Sequence, residues 1–324
     1  MTVLILTDAD DPTAVRVMAE LAGRGVPAVR VAPADFPTRI GMTAGIGGDG
    51  PWAGALTDLA TGQTVVELEG VRSVYYRRPN QFQVAEDLSG PERAFAYGEA
   101  RIGFGGVLQA LKDCLWVNDP VAAARAEYKP VQLAAAVECD LRVPETIISN
   151  EPERAHRWAA ERTGPIIYKP MSGIWHHDEG QRRVLYTTPI EDIDSMLEPG
   201  FATTAHLLQE QVAKAYEARV MVIGDEVLAV AIHTTSEKGR GDWRSDYDSH
   251  RYEVIDLPPD LRGKLLALHR RLGLVFGAAD LIRTPDGRWV FLETNQCGEW
   301  GWLAAETDLP ITQTFADLLQ KGHP

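Results

Sequence analysis

A chain of 324 residues and 35.6 kDa exceeds what one hydrophobic core usually organises, so two or three packed subdomains are expected. Its 45% hydrophobic and 24% charged residues, with a mean hydropathy of -0.17, exclude an integral membrane protein and a wholly disordered chain. Against 46 Asp and Glu stand 32 Lys and Arg, a formal net charge of -14 that sets nucleic acid and anionic membranes aside as partners but would attract a basic peptide.

The start of the chain has no basic region, long apolar stretch or cleavage site, so neither a signal peptide nor a membrane span is expected. Cys114, Cys139 and Cys297 have no paired spacing, which suits reduced thiols in a cytoplasmic protein better than disulfides or zinc. Residues 3–6 read as a buried strand, 12–21 carry helical spacing that ends near Gly23 and Gly25, and 27–31 return to strand. A further strand at 71–76 ends in Arg77-Arg78-Pro79, and a long helix over 92–111 leads to Trp116-Val117-Asn118. Residues 1–120 are therefore expected to form an α/β domain of the doubly wound kind.

The spacing then predicts a helix over 121–138, a strand at 144–148, a helix over 151–163 and a strand at 166–169. Residues 173–186, polar at the centre and bounded by glycine, fit a hairpin or flap. Together 121–206 read as a small α+β subdomain. Strand patterns dominate 207–324, at 207–212, 219–223, 227–232, 252–255, 278–283 and 289–293, with turns at Gly224-Asp225 and Pro285-Asp286-Gly287. This last part is expected to be an antiparallel sheet with helices. The polar loop from 233 to 250 is long enough to be functional.

Chemistry concentrates at a few places. The turn at 285–287 can bring Asp280 beside Glu293 and Asn295, and a period of two puts Glu293 and Asn295 on one face. Hard oxygen ligands at one strand end suit Mg²⁺, which binds through one or two carboxylates and substrate phosphates; a helix cap and a surface ion pair are the plain alternatives. Lys169 ends an apolar strand, where a phosphate would explain an ammonium, and Lys129 and Arg219 add cations. The extended segment Leu207-Leu208-Gln209-Glu210-Gln211-Val212 can offer backbone groups and Glu210 to an adenine edge. His176-His177 read as solvated, Trp300 and Trp302 as core and cleft wall, and Cys297 as a packed thiol.

Two spaced lysines, a Gln-Glu-x-Val hinge, an arginine opening the next strand, an Asp and a terminal Glu-x-Asn resemble ATP-grasp ligases in order and kind. Gly241-Asp242-Trp243-Arg244-Ser245 also resembles the Gly-Asp-Phe-Arg-Ser loop of the glutamate-adding, ribosomal-protein-modifying members. Through Ser73-Val74-Tyr75-Tyr76-Arg77-Arg78-Pro79, Ala126-Glu127-Tyr128-Lys129-Pro130, Trp243-Arg244-Ser245-Asp246-Tyr247 and Gly298-x-Trp300-Gly301-Trp302-Leu303, nearly the whole chain is similar to the ATP-grasp ribosomal-peptide maturases, the microviridin and graspetide macrocyclases.

The resemblance implies an ATP-grasp fold with an N-terminal pre-ATP-grasp domain, central and C-terminal subdomains, and ATP and Mg²⁺ as cofactors. It implies that Lys129 and Lys169 hold phosphates, Glu210 and the Val212 backbone read adenine, and Lys214 or Glu217 lies near the ribose. Arg219 and Arg244 would steady the γ-phosphate and an acyl phosphate, and Asp280, Glu293 and Asn295 would hold Mg²⁺. The implied enzyme is a cytoplasmic homodimer that joins a side-chain carboxylate of a precursor peptide to a hydroxyl or amine of the same peptide; the acids of the hairpin at 173–186 could pair with a basic leader segment of that peptide, docked apart from the active site. An amino-acid-adding ligase and a nucleotide-binding regulator without chemistry are the other readings. Two departures bear on substrate contacts. Ile232-His233 stands where the ribosomal-protein-modifying relatives carry arginine, and Glu293-Thr294-Asn295-Gln296-Cys297-Gly298-Glu299-Trp300 stands where the actinobacterial maturases read Glu-Cys-Asn-Pro-Asn-Gly-Gln-Trp.

Overall fold

The computed structural model describes residues 1–172, 175–178, 181–234 and 250–323, with the backbone alone at 175–178 and 181–184. The N-terminal region runs β1 (Thr2–Leu6), α1 (Pro12–Gly23), β2 (Ala28–Val31), β3 (Ile40–Gly45), β4 (Ala53–Asp58), β5 (Thr64–Glu67), β6 (Val71–Tyr76), α2 (Gly90–Gln109) and β7 (Leu115–Val117). Four of these strands form a parallel sheet in the order β2-β1-β6-β7, and β3, β4 and β5 make a separate antiparallel sheet. The expected doubly wound layer is present. Its strand order reverses between β1 and β6, so a crevice opens beyond Leu6 and Tyr76, the place where open α/β sheets take ligands. Asp11 caps α1 at that crevice, accepting from the Thr13 and Ala14 amides, with Pro12 preset at the first helical position.

The central region holds α3 (Pro120–Ala126), α4 (Lys129–Glu138), β8 (Thr146–Ser149), α5 (Pro152–Ala160), β9 (Ile166–Lys169), β10 (Trp175–Asp178), β11 (Gln181–Val184), β12 (Thr188–Ile190) and β13 (His206–Glu210). The single helix expected over 121–138 is two. Pro130 disfavours helical geometry at Lys129 within a continuing helix but suits a new first turn, so the chain breaks after Ala126 and restarts at Lys129. β10 and β11 pair as the expected hairpin, Trp175 opposite Val184. β13 pairs with β8 and β9, giving an antiparallel sheet in the order β12-β9-β13-β8.

The C-terminal region contains β14 (Tyr216–Ile223), β15 (Glu226–Thr234), β16 (His250–Ile255), α6 (Pro259–Leu272), β17 (Phe276–Arg283), β18 (Trp289–Asn295), α7 (Gly301–Glu306) and α8 (Ile311–Lys321). Its five strands are antiparallel in the order β16-β15-β14-β17-β18. One face, with Val220, Val222, Ala279, Leu281 and Phe291, packs on Leu261, Leu265 and Leu268 of α6 and on Ala135 and Ala136 of α4. The other face is divided along its length. Met221, Ile223, Val230, Phe276 and Ala278 join Val3, Ile5, Tyr75 and Phe315 in a core shared with the N-terminal sheet, whereas Glu217, Arg219, Asp280 and Glu293, farther along the same face, are polar and buried. Apolar burial against the N-terminal sheet thus fixes the polar half in place. Trp300 is fully buried and stacked on Phe315 at 4.9 Å, the core role expected of it, and Trp302 is partly buried against Tyr252. Among the described residues no helix is long and apolar enough to cross a membrane.

Candidate active site

The polar half-face owes its composition to register. Arg219 lies opposite Asp280 across β14 and β17, and Asp280 lies opposite Glu293 across β17 and β18. The register then slips, since Leu281 faces Phe291 and Leu292 is left over. This bulge lets Phe291 enter the core behind the sheet while Glu293 and Asn295 point to the same side as Asp280. Arg219 Nη1 donates to Asp280 Oδ1 at 2.8 Å, Asn295 Nδ2 reaches Asp280 Oδ2 at 3.5 Å, and Lys129 Nζ lies 3.1 Å from Glu293 Oε2. Asp280 is 4% exposed and Glu293 7%, so each needs the cation beside it.

The position of Lys129 follows from a residue that the sequence did not single out. Gln132, one turn into α4, donates from Nε2 to the carbonyls of Ala126 and Thr294 and accepts the Thr294 amide at Oε1. Its amide thereby splices the start of α4 to β18 between Glu293 and Asn295. From behind the sheet, His269 Nδ1 donates to the Leu265 carbonyl, which leaves Nε2 to accept from the Thr294 hydroxyl at 3.0 Å. Gly277 makes room for this, since a Cβ there would stand 2.3 Å from His269 Nε2. Asn118 similarly joins β7 to the site: Oδ1 accepts from the Val275 and Phe276 amides, and Nδ2 donates to the Phe276 and Gln296 carbonyls.

Burial pushes the His269 imidazole down to about 4, so it is neutral in the native state. Between that value and the ordinary value near 6.5 the unfolded chain takes up a proton that the native chain refuses. Stability is therefore lost as pH falls from about 6.5 towards 4, by roughly 3 kcal/mol in all. Urea unfolding across that range is expected to show this loss in the parent protein and a flatter dependence in His269→Gln. Parallel curves would contradict it.

The hinge between the two sheets sits beside this row. Glu210 N donates to the Glu145 carbonyl, Gln211 N to the Pro165 carbonyl and Ala215 N to the Arg283 carbonyl, so the segment around Val212 is held at both ends. A cavity of about 480 Å³ is lined by Val212, Lys214, Glu217, Ile232 and Thr234. Lys214 pairs with Glu217 at its edge. The Glu210 carboxylate lies against Gly164, and Glu210 borders a different cavity of about 720 Å³ with Arg142, Glu145 and Asp286. Lys169 ends β9, half-buried, and shares in no ion pair among the described residues. The structure thus brings Lys129, Arg219, Asp280, Glu293 and Asn295 together, gathers Val212, Lys214 and Glu217 at a neighbouring cavity, and places Glu210 on the adjoining cavity, which Val212 also lines. Arg244 lies outside the described residues.

Two buried carboxylates and a carboxamide oxygen are hard donors that fit Mg²⁺. Among the described residues no three acidic, His or Cys side chains cluster as a complete metal cage. Cys297 nearby is partly buried, and burial pushes its thiol up, so it is a packed thiol as expected.

Two antiparallel sheets joined by a hinge, a doubly wound domain before them and this row at their junction define an ATP-grasp protein. Residues 2–124 match the model of the MvdD pre-ATP grasp domain, and residues 124–314 that of the RimK-like ATP-grasp domain. The chain belongs to the RimK-like ATP-grasp family. Over its whole length it shares the architecture of ATP-grasp ligases that mature ribosomally made peptides. A RiPP-associated ATP-grasp ligase from Chryseobacterium gregarium, solved with ADP and a leader and core peptide, superposes with a TM-score of 0.89 at 25% identity, covering 100% of this chain and 97% of that one. The macrocyclase MdnC from Microcystis aeruginosa, bound with precursor peptide MdnA, gives 0.82 at 30% identity, covering 99% and 100%. Among curated proteins, the alpha-aminoadipate–LysW ligase LysX of Sulfurisphaera tokodaii is 25% identical over 57% of this chain and 64% of its own length. A tetrahydromethanopterin:alpha-L-glutamate ligase of Methanococcus maripaludis is 24% identical over 54% and 58%. The chain spans less than two thirds of the length of these curated relatives.

Proposed function

We propose that the chain is an ADP-forming ligase that crosslinks side chains within a ribosomally made precursor peptide. The observation that carries this reading is the row of Arg219, Asp280, Glu293 and Asn295 beside Lys129, at the junction of the two sheets. A side-chain carboxylate of the peptide attacks the γ-phosphorus of ATP, the bond to ADP breaks, and an acyl phosphate forms. A hydroxyl or amine of the same peptide then attacks the acyl carbon, phosphate leaves and the nucleophile gives up its proton. Held on one peptide, the reacting groups gain the effective concentration of an intramolecular step.

In this reading Glu210 and Val212 present the hinge to adenine, Lys214 and Glu217 border the ribose, and Lys129 and Lys169 bind phosphates. Arg219, joined by Arg244, steadies the transferring phosphoryl group. Asp280, Glu293 and Asn295 would hold Mg²⁺, which when bound neutralises the phosphate oxygens. The same reading takes the peptide's leader to dock on the β10–β11 hairpin and the enzyme to be a cytoplasmic homodimer. The full-length likeness to ligases solved with leader, core and precursor peptides supports a peptide substrate. The curated amino-acid ligases favour a second reading, addition of an amino acid to a peptide or small acid.

ADP release that requires both Mg²⁺ and the precursor tests the ligase reading; nucleotide binding with no turnover would favour a regulator. Replacing Lys169 by alanine is expected to weaken ATP binding about tenfold, because it removes a charge-assisted hydrogen bond to a phosphate oxygen. Lys169→Arg should restore only part of it, because a planar fork does not reproduce a point charge. Calorimetric titration decides this, and unchanged affinity in Lys169→Ala would remove Lys169 from the nucleotide site.

A further inference from the structure

The crevice at the strand-order reversal of the N-terminal sheet is occupied by the chain's own Glu299. Arg77, the residue after β6, is 1% exposed; its Nε donates to Asp11 Oδ2 at 2.7 Å and its Nη2 to Glu299 Oε1 at 2.7 Å. Arg78 Nη1 reaches the same Glu299 oxygen at 2.6 Å, and Thr13 Oγ1 donates to Glu299 Oε2 at 3.2 Å. Asp11 is fixed in turn by the Thr7 hydroxyl and by its cap on α1. Both carboxylate oxygens of Glu299 are therefore engaged from β6 and α1, across the domain junction.

The main chain of the same segment touches Arg219. The Glu299 carbonyl accepts from Arg219 Nη2 at 3.3 Å, and a Cβ on Gly298 would stand 2.8 Å from that nitrogen and 2.5 Å from the Ala278 Cβ. Only glycine lets the segment lie this close to the guanidinium. Arg219 is thus held by Asp280 on one side and by the Glu299 carbonyl on the other. A long side chain fixed at two points has less rotamer freedom to lose when a phosphate arrives.

We propose that Arg77 and Glu299 are positioning residues: the buried ion cluster at the switch point of the N-terminal sheet fixes the 298–299 segment, whose carbonyl aims the Arg219 guanidinium at the γ-phosphoryl group. The inference rests on the proposed placing of Arg219 at that group. It gives the N-terminal domain a part in the chemistry without any contact to the nucleotide, and it joins two motifs far apart in sequence, Arg77-Arg78 and Gly298-Glu299-Trp300.

The test is calorimetric affinity for AMPPNP and for ADP, each with Mg²⁺, in the full chain. Arg219→Ala is expected to lose about tenfold or more in AMPPNP affinity with ADP affinity nearly unchanged, since a charge-assisted bond to the γ-phosphate is removed. Glu299→Ala should lose roughly fivefold in the same selective way, and the double variant should bind AMPPNP no more weakly than Arg219→Ala alone, because both changes act through one guanidinium. Glu299→Gln should keep nearly the parent preference, as its amide oxygen still accepts from Arg77. The Glu299 side chain is 39% exposed, and thermal unfolding checks that each variant is folded; Arg77→Lys, which keeps the charge but loses the two-armed fork, supplies a second selective loss. A selective loss in Arg219→Ala with none in Glu299→Ala and Arg77→Lys overturns the positioning role alone. Additive losses in the double variant overturn it as well. If Arg219→Ala leaves the AMPPNP preference intact, the placing of Arg219 at the γ-phosphate fails, and the positioning role with it.

Discussion

Glu293→Gln is expected to lower ATP cleavage by on the order of a thousandfold while leaving the fold intact. The substitution removes one charge at nearly constant shape from a carboxylate that lies opposite Asp280 and 3.1 Å from Lys129 Nζ. A neutral amide holds a phosphate-bridging cation far less well than a carboxylate does. It also leaves Lys129 without that anion. Lys129 keeps a solvent path, with 23% of its side chain exposed, so the freed ammonium can hydrate and the melting temperature should change little. ADP release and thermal unfolding are the two measurements. Turnover above a tenth of the parent value in a folded variant would show that Glu293 carries no essential charge.

Arg219→Ala should lower turnover by about a hundred- to a thousandfold, the usual cost of deleting a preorganised donor to developing charge. It should also destabilise the protein by up to about 3–5 kcal/mol, because it takes a cation from Asp280, which is 4% exposed. The two effects separate in Arg219→Lys. An ammonium at this place keeps charge beside Asp280 but cannot reach Asp280, the Glu299 carbonyl and a phosphate as one planar fork does. Stability should recover more fully than turnover. Recovery of both, or near-parent turnover in a folded Arg219→Ala, would contradict a role for the guanidinium in phosphoryl transfer.

Much of this site was legible because short-range rules suffice for it. The turn at Pro285-Asp286-Gly287 and the apolar strands beside it point to a hairpin, and a period of two places Glu293 and Asn295 on one side. The bulge at Leu292 was not legible, yet it falls before Glu293 and leaves that pair in phase. β1 was readable as a continuous apolar run, Val3 to Leu6, because it is buried from two sides. The sheet of β3, β4 and β5 gave no such pattern: its strands are rich in Gly and Ala, and only Leu56 and Val66 within them are buried. The helix expected through Pro130 breaks there, and the break is what puts Lys129 at the first turn of α4, above Glu293.

The remaining parts of the site depend on long-range packing. Gln132 lies in the Ala-rich helix α4 and shows its importance only when β18 packs alongside. Arg77 and Glu299 are 222 residues apart, and no local pattern pairs them. Two charged residues close to buried aromatics, Arg77 two residues after Tyr75 and Glu299 before Trp300, were the available signal. Glu210 was expected to face adenine with its carboxylate. Its carboxylate lies beside Gly164, on the cavity that Val212 also lines, a neighbour that strand alternation alone does not give.

The central claim is that a carboxylate of a precursor peptide is activated as an acyl phosphate and captured within the same peptide. The most direct test is the intact mass of the precursor after incubation with the enzyme, ATP and Mg²⁺, read together with the nucleotide products. Each turnover should release ADP and phosphate, and each crosslink should lower the peptide mass by one water. A mass gain of an amino-acid residue would instead support the amino-acid-adding reading. AMP and pyrophosphate as products would contradict the account outright, because they place the attack at the α-phosphate and not at the γ-phosphate assigned to Arg219.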